Sequence, residues 1–209
     1  MVPMEKRIIK TAESLFNRYG IRSITMDEVC REMRISKKTL YEHVENKRSL
    51  VKALLESIFG REEKALARIE AKEVSSIDKL DLIVKTVGRN LQKKHPAFYF
   101  DIEKYYPGLF EELTRQRSHH VIRVIKNIIC TGIEEGLFRK DVDAELEALL
   151  FLFIMRGYFV EGHCDPDGYS ASEILSAIFM SFIRGLANEK GLDYLEAHFM
   201  LFDNHMNKE

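Results

Sequence analysis

Between Thr25 and Leu50 the run TMDEVCREMRISKKTLYEHVENKRSL crowds three helix starts into a stretch that leaves room only for brief helices at its centre. Thr25 followed three residues later by Glu28 forms a capping box, in which the two side chains satisfy free backbone N–H groups at a helix start. Met26, Val29, Cys30 and Met33 then recur at helical spacing and turn one face inward. Ser36 is a good N-cap for a helix over Lys37 to His43, which Leu40 and Val44, four residues apart, anchor from beneath. Asn46 caps a further helix whose Leu50, Val51, Leu54, Leu55 and Ile58 share a face. Upstream, Ile8, Ala12, Leu15, Phe16 and Tyr19 make a first amphipathic helix that ends at Gly20, a residue suited to the left-handed conformation of a helix terminus. Four helices therefore share one small core.

Only Arg34, Ile35 and Ser36 separate the two middle helices, which is the spacing of a helix-turn-helix with Lys37 to His43 as the helix that enters a major groove. Its outward residues suit that task. Ser36, Lys37, Lys38, Thr39, Tyr41 and His43 carry donors for phosphate oxygens or base edges, while Leu40 holds the helix to its own core. Lys47 falls on the first turn of the next helix, where free N–H groups, the helix dipole and its own charge all attract a phosphate. Thr25, at the head of the preceding helix, is placed to grip the other strand.

Phe16, Gly20, Thr25, Asp27, Val29, Ile35, Ser36, Thr39, Leu40, Tyr41, His43, Asn46, Lys47 and Leu50 stand in an order and spacing that resembles the tetracycline-repressor-like (TetR) family of bacterial regulators. The resemblance covers roughly the first quarter of the chain. It implies an all-α homodimer with an N-terminal helix-turn-helix DNA-binding domain and a C-terminal helical domain that binds a small molecule and dimerises. Four positions depart from the family's habit: Cys30 stands where a small Ala is common, Met33 and Arg34 where Ala-Gly is common, and Val44 where an aromatic is common. Arg34 matters most, because Gly in that turn takes positive φ at little cost and Arg takes it with strain.

Charge agrees with this division. Residues 1–60 hold 12 Lys and Arg against 8 Asp and Glu, and the remainder 20 against 25, so the overall −1 conceals a positive N-terminal end. That end favours a polyanion. The N-terminus runs into an amphipathic helix without an apolar signal region, and the longest apolar run, Ala148 to Met155, is far short of the ~20 residues a bilayer requires. The expectation is a cytoplasmic protein with no membrane partner. Cys30, Cys130 and Cys164 show no CxxC spacing and read as reduced thiols among apolar neighbours rather than a redox switch. His163-Cys164-Asp165 lacks the spaced ligand pairs of a structural zinc site, so neither a metal nor any other cofactor is expected.

Beyond Phe59 the pattern stays helical and shows no strand signature, which divides the chain into a DNA-binding domain over residues 1–60 and an effector-binding and dimerisation domain over residues 61–209. Gly60 to Lys72 prolongs the fourth helix, and Leu80, Val84, Val87 and Leu91 begin a new stripe that ends near His95-Pro96. A short aromatic helix from Ala97 to Tyr106 is stopped by Pro107-Gly108. Leu109 to Glu135 suits a long helix with Val121, Val124, Ile125, Ile128, Ile129 and Ile133 inward, closing at Gly136. GLFRKDVD, residues 136–143, is similar to a linker that many family members carry before their last helix pair. Leu146 to Phe159 is apolar nearly all round, and Ser170 to Glu173 supplies a capping box for a helix with Ile174, Ile178, Phe182, Ile183 and Leu186. Two such helices from each subunit suit a four-helix bundle about a twofold axis, which would also space two recognition helices on duplex DNA.

Aromatic and histidine residues mark a candidate effector pocket at Phe98, Tyr99, Tyr105, His119, His120, Phe151, Met155 and Tyr158, although apolar walls with a few polar tips also describe a plain core. Few charges interrupt these stripes, so the expected effector is small and largely apolar. No nucleophile–base pair, metal cluster or phosphate-cradling glycine loop stands out, so no catalytic residue is assigned. A ligand-responsive repressor of a palindromic operator is preferred over an enzyme and over a helical protein-interaction module. Salt-dependent, sequence-selective duplex binding separates the first from both others.

Overall fold

The first helix, α1 (Met4–Tyr19), buries Ile8, Ala12 and Phe16, three positions of the stripe read from the sequence. Gly20 ends it with its N–H donating to the Phe16 carbonyl at 3.0 Å. Its φ of 79° is positive as expected, but its ψ of 156° takes the chain out of the helix in an extended direction open essentially to glycine alone. In this computed structural model the described residues are 3–91, 93, 95, 98–160 and 169–199. Among them all regular structure is helical, with one isolated antiparallel bridge between Phe138 and Ala187.

The capping signals act where the sequence has them. Thr25 and Glu28 form both halves of the capping box of α2 (Met26–Met33), Ser36 caps α3 (Lys37–Tyr41), and the Asn46 carboxamide oxygen accepts the Ser49 N–H near the start of α4 (Lys47–Glu70). The recognition helix is shorter than the expected Lys37 to His43. Glu42 keeps right-handed helical angles, while the N–H groups of His43 and Val44 both turn back to the Leu40 carbonyl. Arg34, between α2 and α3, takes the left-handed conformation at φ 55° and ψ 44°, the one non-glycine among the described residues with positive φ. Its N–H donates to the Arg31 carbonyl and the Ile35 N–H to the Cys30 carbonyl, which closes α2. Left-handed geometry costs a residue with a Cβ about 1–2 kcal/mol. Arg34→Gly should therefore stabilise the protein by roughly 0.5–1 kcal/mol after allowing for the unfolded freedom of glycine, raising Tm by about 1–4 °C. A lower Tm in a thermal melt would mean that the Arg34 side chain itself holds the turn.

Six further helices follow: α5 (Ser76–Leu91), α6 (Phe98–Tyr105), α7 (Pro107–Glu134), α8 (Ala144–Val160), α9 (Ala171–Leu186) and α10 (Glu189–Phe199). Two boundaries differ instructively from expectation. Pro107-Gly108 follows the end of α6 as expected but also opens α7, two residues before the expected start at Leu109, because proline at a first helical position sacrifices no hydrogen bond and has φ preset. The α10 segment, absent from the sequence reading, starts at Asn188, whose side-chain oxygen accepts the Gly191 N–H at 3.1 Å.

The chain forms two compact units, Met1–Lys64 with Asn90–Ser118, and Ala65–Arg89 with His119–Glu209. In the first, Ile8, Phe16, Ile21, Leu40, Leu50, Leu54 and Leu55 are wholly buried. Each such side chain stabilises by about 1.5–3 kcal/mol. Val44 and Cys30 are buried with them. In the second, Val124, Ile125, Ile128 and Ile129 of α7 form the inner face, and α8 meets α9 through Phe151 and Phe182, ring centroids 4.8 Å apart. The buried face of α9 runs through Leu175, Phe179, Phe182, Ile183 and Leu186, leaving Ile174 and Ile178 half-buried at its margin. The linker before α8 is tied down: the Asn188 N–H donates to the Leu137 carbonyl and the Arg139 N–H to the Leu186 carbonyl. Asp143 then caps α8, accepting from the N–H groups of Glu145 and Leu146. Cys30 is buried, and burial pushes its thiol pKa up. Cys130, read as one of several buried thiols, is exposed on the outer side of α7. Cys164, with the rest of His163-Cys164-Asp165, lies outside the described residues. Among the described residues no helix is long and apolar enough to cross a membrane.

Candidate nucleic-acid interface

Leu40 and Val44 face inward, 0% and 6% exposed, and so turn the opposite side of α3 to solvent. That side carries Lys38, Tyr41 and, just past the helix, His43, all exposed, with Thr39 half-buried at its edge. Tyr41 leaves 48% of its surface open, a large apolar ring with a polar tip in a position that packing does not explain. The remaining candidates already have partners. Ser36 Oγ accepts the Thr39 N–H at 3.0 Å and lies 2.9 Å from Thr39 Oγ1, so the two hydroxyls share a proton arrangement with the helix start. Lys37 Nζ stands 2.8 Å from Asp27, and this hydrogen bond raises its pKa. Both side chains are more than half exposed, and such surface pairs contribute little in water, so a phosphate can displace Asp27.

Thr25 is similarly committed. Its N–H and hydroxyl both donate to Glu28 Oε2, at 2.5 and 2.9 Å, and its Oγ1 accepts the Glu28 N–H at 3.2 Å. These bonds, the Thr25 N–H foremost, lower the Glu28 pKa. Lys47 is half-buried on the first turn of α4, where its Nζ donates to the Arg22 carbonyl at 3.3 Å and burial lowers its pKa. The same peptide turn is held from its other side: the Arg22 N–H donates at 3.0 Å to Asp101 of α6, a carboxylate only 6% exposed. Sequence reasoning missed Asp101, and nothing local to either residue signals a pairing across 79 positions. The Arg22 guanidinium lies 5.6 Å from the centre of the Tyr105 ring, a second tie between α6 and the turn that leads into α2.

The effector candidates divide between the units. Phe98 is a fully buried core residue of the first, with the Tyr99 ring edge-on at 5.3 Å, while Tyr105 is 39% exposed against Arg22. In the second unit Phe151 and Met155 are buried and His119 is exposed. His120 accepts from the Arg123 guanidinium through Nδ1 at 2.8 Å, and its Nε2 is buried without a partner. The Tyr158 side chain lies outside the described residues.

Residues 8–54 match the family model described as bacterial regulatory proteins, tetR family. The chain is 31% identical over 96 residues to the HTH-type transcriptional regulator UidR of Escherichia coli K12, a match spanning 46% of this chain and 45% of that protein. A longer match, 23% identical over 163 residues and covering 77% of this chain and 83% of the other, joins it to the uncharacterized HTH-type transcriptional regulator YvkB of Bacillus subtilis 168. Among solved structures, a TetR/AcrR-family transcriptional regulator from Thermobifida fusca superposes with a TM-score of 0.68 at 21% identity, covering 88% of this chain and 98% of that one.

Proposed function

We propose that this chain, whose residues 8–54 match the tetR family of bacterial regulatory proteins, is a ligand-responsive repressor that binds a palindromic DNA operator as a homodimer in the cytoplasm. Residues 1–60 read the DNA, and residues 61–209 bind a small, largely apolar effector and dimerise. One observation carries the reading: a five-residue helix in a helix-turn-helix, anchored by buried Leu40 and Val44, presents exposed Lys38, Tyr41 and His43 together. A helix of that kind in the major groove meets base edges with its outward donors. Lys37 and Lys47 supply phosphate contacts that set register. Two outward strips support dimerisation. Leu146, Leu150, Phe153 and Ile154 of α8 are 43–56% exposed along one face, and α9 turns the small residues Ala177, Ser181 and Gly185 outward.

Effector binding turns the connecting helix and carries the recognition helices out of register. The effector accomplishes this only to the extent that it prefers the DNA-incompetent arrangement. The test is retention of genomic fragments by the purified protein at near-physiological salt, with Tyr41→Ala as control. A few sites sharing an inverted repeat, lost with the variant, are expected; nothing above background, from protein freed of bound small molecules, would overturn the reading.

Two substitutions separate the roles within the interface. Lys38→Ala should relax preference at one base position in each half-site by ~1–3 kcal/mol, whereas Lys47→Ala should weaken all duplexes alike and reduce the salt slope by about one unit. Binding titrations on specific and random duplexes across a salt series read both. Equal losses on the two duplexes would demote Lys38 to a backbone contact, and an unchanged slope would leave Lys47 with its Arg22 carbonyl bond alone.

A further inference from the structure

Within the first unit, α4, α6 and α7 bring a carboxylate, a phenol and a guanidinium together on an aromatic floor. Arg117 of α7 places Nη2 2.5 Å from Oε2 of Glu62 on α4, with the two side chains only 28% and 15% exposed. The guanidinium lies over the Phe59 ring, 4.8 Å from its centre. Tyr99 of α6 is half-buried and feels the same two charges. That burial, reinforced by Glu62 and opposed by Arg117, pushes the phenol pKa well up. Tyr99 therefore stays neutral and sets no charge against an incoming anion. The Nε–H of Arg117 is buried and has no hydrogen-bond acceptor.

As a plain staple between two helices this arrangement is poorly made. Withdrawing an ion pair from water returns its cost only where geometry is good and the remaining donors are satisfied, and here a charged donor is left over. A guanidinium has donors enough for two oxyanions, and its Nε edge has the planar fork that matches a carboxylate. Stacking on Phe59 fixes the plane of that fork and shields it from water.

We propose that Arg117 anchors the effector by an acidic group, a carboxylate or similar oxyanion, on an otherwise apolar molecule; this rests on the reading of the chain as an effector-responsive regulator. The oxyanion takes the Nε–H and competes with Glu62 for the rest of the guanidinium. Because Glu62 belongs to α4, the helix whose first turn carries Lys47, the competition also removes a charge partner from the helix that supports the DNA-reading end.

The probes are octanoate and 4-phenylbutyrate, each paired with its neutral alcohol, octanol and 4-phenylbutanol, titrated calorimetrically into the full chain. The acids should bind about tenfold or more tightly than the alcohols, the gain expected from charge-assisted hydrogen bonds. Arg117→Gln should abolish the preference, and Glu62→Gln should raise acid affinity while leaving the alcohols unchanged, since it removes the competitor. Equal binding of acid and alcohol, no saturable acid binding, or a preference that survives Arg117→Gln would overturn the proposal. If Arg117→Gln fails to fold, as circular dichroism would reveal, Glu62→Gln decides: acid affinity unchanged or reduced sinks it. Operator retention measured on the same preparation separates the two readings. Selective DNA binding without acid preference removes only the anchor, whereas acid preference without DNA binding removes the repressor.

Discussion

Phe153→Arg should convert the proposed dimer to a monomer and abolish sequence-selective operator binding with it. Phe153 is 56% exposed on α8 and stands with Leu146, Leu150 and Ile154 on a helical face that the chain's own core leaves uncovered, while Ala148, Phe151 and Met155 on the other side are buried. Exposed in one subunit, position 153 contributes little to that subunit's own packing, so the substitution should cost the fold within about 0.5 kcal/mol. At a twofold interface every substitution counts twice, and two arginines brought together out of water repel each other and lose hydration. A penalty of about 4 kcal/mol raises the dimer Kd roughly a thousandfold. A monomer offers one recognition helix and reads one half-site, so selective DNA binding falls with dimerisation. Sedimentation at micromolar concentration reads the first effect and operator titration the second. A variant that stays dimeric would move the interface away from this face, and a monomeric native protein would remove it altogether.

What the sequence disclosed was what acts over a few residues. Thr25 with Glu28, Ser36 and Asn46 announce their helices because a cap works within one turn, and Arg34 announces its strain because the turn between α2 and α3 demands positive φ whatever residue occupies it. Pro107 was read as the stop of α6, which it is, but not as the start of α7, and for a local reason too: the same ring that cannot continue a helix is well placed to begin one. The missed α10 had its signal, an asparagine followed by Leu192, Leu195 and Phe199 at helical spacing. Asp101 on the Arg22 turn and Arg117 beside Glu62 were beyond reach, since both join residues more than fifty positions apart whose neighbours show ordinary charged surface patterns. The outward side of α3 was legible as a set of donors, but not the fact that Ser36 and Thr39 already bond each other or that Lys37 faces Asp27. Aromatic richness could not sort pocket from core, because both need apolar walls; Phe98 and Phe151 are buried.

Gly191→Ala is expected to be strongly destabilising for the second unit. The first turn of α10 is seated on the linker before α8 by a set of bonds centred on Asn188. Its side-chain oxygen accepts the Gly191 N–H, its amide donates to the carbonyls of Gly136 and Phe138 at 3.0 and 3.3 Å, and its own N–H donates to the Leu137 carbonyl at 3.1 Å. These bonds draw the helix so close that a Cβ on Gly191 would fall inside the van der Waals envelope of the Leu137 carbonyl oxygen and press on the Ala187 methyl. A Cβ has no rotamer by which to escape, and the obstacle is backbone, so relief requires α10 to lift and stretch the Asn188 bonds together. The cost belongs at the upper end of the range for overpacking, about 3 kcal/mol, which for a chain of this length lowers Tm by roughly 6–12 °C. Gly60→Ala is the control: it too lies inside a helix, but a Cβ there meets nothing within 4 Å, and the substitution should raise stability by about 0.5–1 kcal/mol. The two melts together test whether close approach, rather than the loss of glycine as such, is responsible. If Gly191→Ala melts with the native protein, α10 can move off the Leu137 carbonyl without cost, and the Asn188 bonds do not hold the linker in place.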